Sequence, residues 1–306
     1  MSSIPHIRLG TRRSPLAMAQ AEETRARLCA AHGWAEEMVE LVPVLASGDK
    51  VLDRPLADIG GKALWTKELD AWLAEGLIDA AVHSLKDVET LRPESLVIAA
   101  VLPRADVRDV LVGAASLADL PEGARVGTSA PRRAAQILHH RPDCSVVSFR
   151  GNVQTRLGKL AEGEAAATLL AAAGLERLGM MDVGTPLGLP DWLPAPSQGA
   201  IGIECNADDG ATRALLAPID HAPSRAQVMA ERALLAGLGG TCHSPIGVLC
   251  EGDAELTLRA ALFSPDGAER VDGAIRFAAG DAQAPRALAA ELLARAGPPI
   301  RQHFTG

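Results

Sequence analysis

The stretch Arg8-Leu-Gly-Thr-Arg-Arg-Ser-Pro15, with its partial echo Arg125-Val-Gly-Thr-Ser-Ala-Pro-Arg-Arg133, decides the architecture. Each copy runs an apolar residue into Gly-Thr, as a strand ends. A proline follows that suits the first turn of a helix, where a missing N–H costs nothing and φ is preset. In the first copy Ser14 serves as N-cap ahead of Pro15, and the helix runs to about His32, where Gly33 stops it. A strand, a tight turn and a Pro-started helix, used twice, mark an α/β chain.

Working outward, strands are expected over 6–11, 40–45, 80–83 and 96–102, the last a continuous apolar run of the buried parallel kind. A polar, glycine-containing loop is expected over 47–62, followed by a helix over 62–75. A second unit begins after Pro103, with strands over 125–128 and 145–149, helices over 131–139 and 152–160, and an alanine-rich segment over 165–178. Pro186, Pro190, Pro194 and Pro196 make 185–198 a connector, and the apolar 200–205 returns to one sheet or the other. Beyond His221 the βαβ rhythm stops. A helix over 224–235, a loop over 237–245, strands over 256–262 and 271–277 and a helix over 284–295 give a small α+β region.

The 306 residues carry 38 Asp+Glu against 30 Lys+Arg, a formal charge of −8, which argues against a nucleic-acid partner because phosphate binding needs a basic surface. Aromatic residues make up 3% with no Tyr, so the core rests on Leu, Val, Ile and Ala. The apolar stretch Ala165 to Leu175 is too short to span a bilayer, and the first residues lack a signal-peptide pattern, so a cytoplasmic protein without a membrane partner is expected. Five cysteines without a C-x-x-C pair fit a reduced compartment and exclude a zinc ribbon.

The 25 arginines against 5 lysines can reflect genome composition, but their positions call for chemistry. Arg132 and Arg133 fall in the first turn of a helix, where the macrodipole disfavours each cation by about 0.3–1 kcal/mol. An anion reverses that sign. Arg12 and Arg13 precede the Ser14-Pro15 helix start, and Arg150 precedes the Gly151-Asn152 turn with Arg156 one helical turn later. All sit at strand-to-helix junctions, where doubly wound folds collect ligands. As a set they suggest an anion-binding cleft between two domains, although any one alone reads as a solvated cation.

His83-Ser-Leu-Lys-Asp87 follows a short strand at the same kind of edge. Asp87 there could hold a cation, exchange protons or simply cap the next turn. Cys242, in Gly239-Gly-Thr-Cys-His-Ser-Pro245, lies in a loop where a thiol is accessible, whereas the other four cysteines read as small buried residues. Cys242-His243 is a poor metal site, because adjacent residues rarely share one ion.

Arg12-Arg-Ser-Pro-Leu-Ala, Gly60-Gly-Lys-Ala-Leu-Trp-Thr-Lys-Glu-Leu, His83-Ser-Leu-Lys-Asp, Gly127-Thr-Ser-Ala-Pro-Arg-Arg, Arg150-Gly-Asn-Val-Gln-Thr-Arg, Gln198-Gly-Ala-Ile-Gly-Ile-Glu-Cys and Gly239-Gly-Thr-Cys-His-Ser-Pro-Ile-Gly together resemble the porphobilinogen deaminase (hydroxymethylbilane synthase) family, in that family's order. The resemblance implies an α/β fold of two periplasmic-binding-protein-like doubly wound domains, 1–102 with 198–219 and 103–197, plus a small α+β C-terminal domain, 220–306. It implies a transferase of heme biosynthesis that joins four porphobilinogen molecules head to tail, each losing ammonia, on a dipyrromethane held by a thioether to Cys242. Hydrolysis then releases the linear tetrapyrrole. No metal or nucleotide is implied, and a monomer is expected.

Carried over residue by residue, the resemblance makes Asp87 the catalytic acid. It assigns Lys86, Asp87, Thr128, Ser129, Arg132, Arg133, Arg150 and Gly151 to the cofactor, and Arg12, Ser14, Lys62, Arg150, Arg156, Arg177, Gln198 and Gly199 to the substrate. Every ring carries an acetate and a propionate, so carboxylates outnumber these arginines, and lysines and helix N-termini must share them. Ala130-Pro131, Glu89-Thr90 and Trp65 depart from the family pattern, and the first removes a hydroxyl beside Arg132. A non-catalytic anion-binding protein of the same two-lobed architecture is the competing reading, and ammonia release separates the two.

Overall fold

A computed structural model describes residues 5–44 and 66–304. The expected loop over 47–62, with Lys62, and the departure at Trp65 lie outside the described residues. In chain order the elements are β1 (Ile7–Arg12), α1 (Pro15–His32), β2 (Val39–Val44), α2 (Lys67–Ala74), β3 (Ala80–Ser84), β4 (Leu96–Val101), β5 (Asp109–Val112), β6 (Arg125–Gly127), α3 (Pro131–His140), β7 (Ser145–Val147), α4 (Val153–Ala161) and β8 (Ala167–Ala171). They continue with α5 (Ala172–Arg177), β9 (Thr185–Pro186), β10 (Ile201–Asn206), α6 (Gly210–Leu216), α7 (Ala222–Gly237), β11 (Ile246–Gly252), β12 (Glu255–Phe263), β13 (Arg270–Ala278), α8 (Gln283–Arg295) and α9 (Pro298–Arg301). No described helix is long and apolar enough to cross a membrane.

The chain divides into two compact units, Met1–Arg104 with Ala200–Arg225, and Ala105–Gly199 with Ala226–Gly306. In the first, a five-stranded sheet has the order β2-β1-β3-β10-β4. β1 runs parallel to β2 and β3, and β10 runs antiparallel to β3 and β4. Ile7, Leu9, Val82 and Ile203 pack in its core with Ala21 and Leu28 of α1. The helix begins as the sequence predicts: the Ser14 hydroxyl accepts the Ala17 N–H at 3.3 Å, and Gly33 closes it in the left-handed conformation at φ 68°.

β4 corrects one expectation. It is an edge strand antiparallel to β10, not a parallel one. Its apolar run reports burial and carries no information about the direction of a neighbour. A register shift interrupts the pairing between Ile203 and Glu204, and Arg225 donates to the carbonyls of Ile98 and Ala99 at 3.1 and 2.8 Å on that strand. Arg225 is itself held by Asp220 at 2.7 Å, so the exposed edge is capped by a side chain.

The second unit has the sheet β7-β6-β8-β5-β9, with β6 parallel to β7 and β8 and β5 antiparallel to β8. The arrangement β2-β1-β3-β10 of the first sheet is thus repeated as β7-β6-β8-β5. The echo between 8–15 and 125–133 is one packing device used twice. A Cβ at Gly10 would lie 2.3 Å from Ile78, and one at Gly127 2.4 Å from the Phe149 ring, so each first strand needs glycine where a large side chain crosses it. The alanine-rich 165–178 divides into β8 and α5.

The same unit holds the antiparallel sheet β11-β12-β13. Leu256, Leu258 and Leu262 alternate toward Leu288, Ala289 and Leu292 of α8 in a shared core. β5 and β11 had no counterpart among the expected strands, nor had the two-residue β9 at the start of the expected connector 185–198. β5 is only four residues long and opens on an acid, and β11 follows directly on Pro245.

Candidate active site

In the first unit the carboxyl ends of the neighbouring parallel strands β1 and β3 open onto one pocket. Arg12 and Ser14 line it from β1 and the start of α1. His83, Ser84, Asp87 and Val88 line it from β3 and the 3-10 turn Leu85–Asp87, and Gln20 and Thr66 add polar groups. Its empty space is about 460 Å³, part of it open to solvent. Asp87 is exposed and faces this space, Gln20 donates to the Ser84 hydroxyl at 2.7 Å, and Lys86 is half-buried. The structure therefore brings Arg12, Ser14 and Asp87 into a single pocket, at the sheet edge where doubly wound folds place ligands.

Behind the pocket lies a charged cluster that the sequence reading missed. Glu204 of β10 is fully buried and accepts from Arg92 Nε and Nη2 at 2.9 and 3.0 Å. His83 Nε2 lies 3.2 Å from Oε2, the oxygen that also accepts from Arg92 Nη2, at ion-pair distance but off the line of a good hydrogen bond. Arg92 also reaches Asp70 of α2 at 2.5 Å and Glu89 at 3.2 Å. Burial pushes the Glu204 carboxyl up, but His83 and Arg92 outweigh it and hold it at about 2. Glu204 stood in the sequence inside the motif 198–205, but as one acid in an apolar strand it was given no role.

In the second unit Arg132 and Arg133 occupy the first turn of α3, as expected, but the anion beside them comes from the chain itself. Asp109, fully buried at the start of β5, accepts from Arg132 Nη1 and Arg133 Nη2, both at 2.7 Å. It also accepts from Trp192 Nε1 and Gln198 Nε2, both at 2.8 Å. Burial alone would raise its carboxyl, and the two guanidiniums hold it far below the usual carboxylate range instead. Arg132 further donates to Leu193 O at 2.9 Å and Arg133 to Leu169 O at 2.7 Å. Gln198, named as a substrate residue, is fully buried and gives its amide to Asp109 and to Val107 O.

Around α3 and α4, two guanidinium nitrogens are buried with no hydrogen-bond partner among the described residues: Arg133 Nε and Arg150 Nη1. Arg150 ends the segment after β7, and the turn beyond it is set by Gly151 at φ +103°, where a Cβ would meet Thr155 at 2.7 Å. Asn152 then caps α4 through Thr155 N at 2.9 Å, and Arg156 folds back onto Gly151 O at 3.0 Å. Thr128 is buried and its hydroxyl accepts the Ala130 N–H at 3.2 Å, while Ser129 is exposed. Arg177 reaches Gly199 O at 3.3 Å, and Gly199 takes φ +83° because a Cβ would strike Ala105 O.

Cys242 is exposed, as expected, on the loop joining α7 to β11. Gly239 ends the helix at φ +65°, and a Cβ at Gly240 would lie 2.5 Å from Leu235. Ser244 fastens the loop's base: its hydroxyl accepts Thr241 N–H at 2.9 Å and donates to His303 O at 3.1 Å. Cys144, Cys205 and Cys250 are buried and Cys29 is half-buried. No three described His, Cys, Asp or Glu side chains converge as metal ligands.

An exposed thiol on a fastened loop suits a thioether anchor. Two unpartnered buried guanidinium nitrogens suit the acetates and propionates of a dipyrromethane. The donor set therefore fits such a group.

The comparisons with known proteins agree with this chemistry. Residues 7–214 match the family model described as "Porphobilinogen deaminase, dipyromethane cofactor binding domain", and residues 226–294 match "Porphobilinogen deaminase, C-terminal domain". A porphobilinogen deaminase of Sphingopyxis alaskensis is 58% identical over 305 residues, covering 97% of this chain and 96% of its own length. One of Paracoccus denitrificans is 54% identical over 86% of this chain and 85% of its own. A chloroplastic one of Oryza sativa is 51% identical over 85% of this chain and 75% of its own. Among solved structures, a putative methionine-binding lipoprotein of Bacillus subtilis matches at TM-score 0.42 and 12% identity, over 70% of this chain and 89% of that one.

Proposed function

Because the chain belongs to the porphobilinogen deaminase family, we propose that Asp87 is the acid at its reacting centre and Cys242 the anchor of its dipyrromethane. The enzyme is a transferase of tetrapyrrole and heme biosynthesis: it polymerises porphobilinogen with loss of ammonia, and its cofactor is a dipyrromethane. The observation that carries the reading of Asp87 is that Arg12, Ser14 and Asp87 line one pocket.

When bound, the dipyrromethane supplies the free pyrrole carbon onto which the first unit is added. The chain's own groups do the rest. Arg12 and the open end of α1 at Ser14 bind a carboxylate of the incoming porphobilinogen, charge-assisted contacts each worth roughly 1.5–3 kcal/mol. Asp87 accepts hydrogen bonds from pyrrole N–H and assists departure of ammonia from the aminomethyl group. Its negative charge then stabilises the cationic azafulvene left on that porphobilinogen. Arg133 and Arg150, through nitrogens that no described protein group satisfies, hold side-chain carboxylates of the cofactor, and the family resemblance adds Lys86, Thr128, Ser129, Arg132 and Gly151 to the residues that serve it. Arg156, Arg177, Gly199 and Lys62 complete the substrate set.

Gln198 and Arg132 serve in this scheme through Asp109, since Arg132 Nη1 and Gln198 Nε2 donate to it and to neighbouring carbonyls. Their part is to keep Arg133 aimed. Charge balance and cysteine usage favour a cytoplasmic protein that binds neither nucleic acid nor membrane, and the family resemblance favours a monomer, which fractionation and light scattering would check.

Asp87→Asn decides between the transferase and a protein that only binds anions. We expect the variant to keep a cofactor on Cys242 while ammonia release from porphobilinogen falls by about a hundredfold or more. Release at the parental rate would reject Asp87, and binding of porphobilinogen without any release by the parent protein would reject the transferase.

A further inference from the structure

Three attachments fix the turn that carries Asp87, two from β10 and one from Ala200 immediately before it. β10 pairs antiparallel with β3 in the register Gly202 to His83 and Glu204 to Ala81. Alternate residues of a strand share a face, so Gly202 and Glu204 lie on one face of β10, with His83 beside them on β3. Leu85, the buried first residue of the turn, donates its N–H to Ala200 O at 3.1 Å. Its side chain sits over Gly202, where a Cβ would come within 2.3 Å of it. Glu204 then holds His83, just before the turn, and Arg92, just beyond it, so both ends of the segment 84–91 are tied to one buried carboxylate.

We propose that β10 is the template for the Lys86–Asp87 turn and that Glu204 is a positioning residue for Asp87, acting through His83 and Arg92 without touching substrate. The proposal rests on the reading of Asp87 as the acid at the reacting centre. It follows from reach: Glu204 is buried behind the pocket, His83 lines it, and Asp87 is four residues along from His83. A carboxylate used only for stability has no need to bracket this segment. Glycine at 202 is likewise demanded by Leu85 rather than by the backbone, which pairs there as an ordinary strand. Displacing a reacting group by about 1 Å costs on the order of a hundredfold in rate.

The test is steady-state kinetics per folded, cofactor-loaded molecule, with loading read from the intact mass and folding from a thermal melt. Glu204→Gln should lower kcat about tenfold to a hundredfold while KM for porphobilinogen stays within about twofold. Leu85→Ala, which leaves every charge in place, should show the same split to a smaller degree and decides the matter if Glu204→Gln does not fold. A lower melting temperature with parental kcat in the folded variants would overturn the proposal, as would a rise in KM alone. Asp87→Asn run beside them keeps the two ideas apart. If it retains turnover, the reading of Asp87 fails. If it is inactive while Glu204→Gln turns over normally, only the template fails.

Discussion

Asp109 is the residue on which the second unit's charges balance. Four donors converge on its two oxygens, two of them from guanidiniums in one helical turn. Removing its charge leaves Arg132 and Arg133 buried without a counter-ion, so Asp109→Asn should lower unfolding stability by about 3–5 kcal/mol in urea, and a loss under about 1 kcal/mol would contradict the account. Glu204 makes a pH prediction. Its folded value near 2 lies below the ordinary 4.5, so its contribution is complete above pH 4.5 and is lost as pH falls toward 2. Urea midpoints measured across that window should flatten in Glu204→Gln, and an unchanged pH dependence would show that the Glu204 carboxyl does not contribute to it. The arginines at 132 and 133 were legible because cations in a first helical turn need a reason. Asp109 and Glu204 were not, because a single acid in a strand carries no such signal until its neighbours are known.

Helices and strands were legible to different degrees. Ser14, Pro15 and Gly33 set α1 to the residue, and Asn152 marked the start of α4, because caps and stops are local chemistry. Direction within a sheet is a property of two strands, so β4 was misread as parallel, and β5 escaped for want of length. The paired glycines of β1 and β6 give a test at this scale. Gly127→Ala places a methyl about 2.4 Å from the Phe149 ring, and overpacking of this kind costs about 1–3 kcal/mol. Phe149→Leu should recover part of that loss in the double variant, and strict additivity of the two changes would rule out the contact as the reason for glycine.

At the scale of the whole molecule, seven short motifs in one order carried more than any of them singly, and the family model and the relatives cover nearly all of the chain. Composition set only the limits: an acidic chain without tyrosine, whose arginines had to be explained by place. The repeated strand order of the two parallel-cored sheets explains why the echo between 8–15 and 125–133 exists, since each opens a sheet in the same way. What chemistry the molecule adds to that scaffold depends on one sulfur. The most direct measurement is the mass of the intact, denatured protein beside its Cys242→Ser variant. The parent should exceed its sequence mass by two linked pyrrole units, localised by peptide mapping to Cys242, and the variant should lack both the increment and turnover. A parent that carries no increment yet polymerises porphobilinogen at full rate would contradict the account.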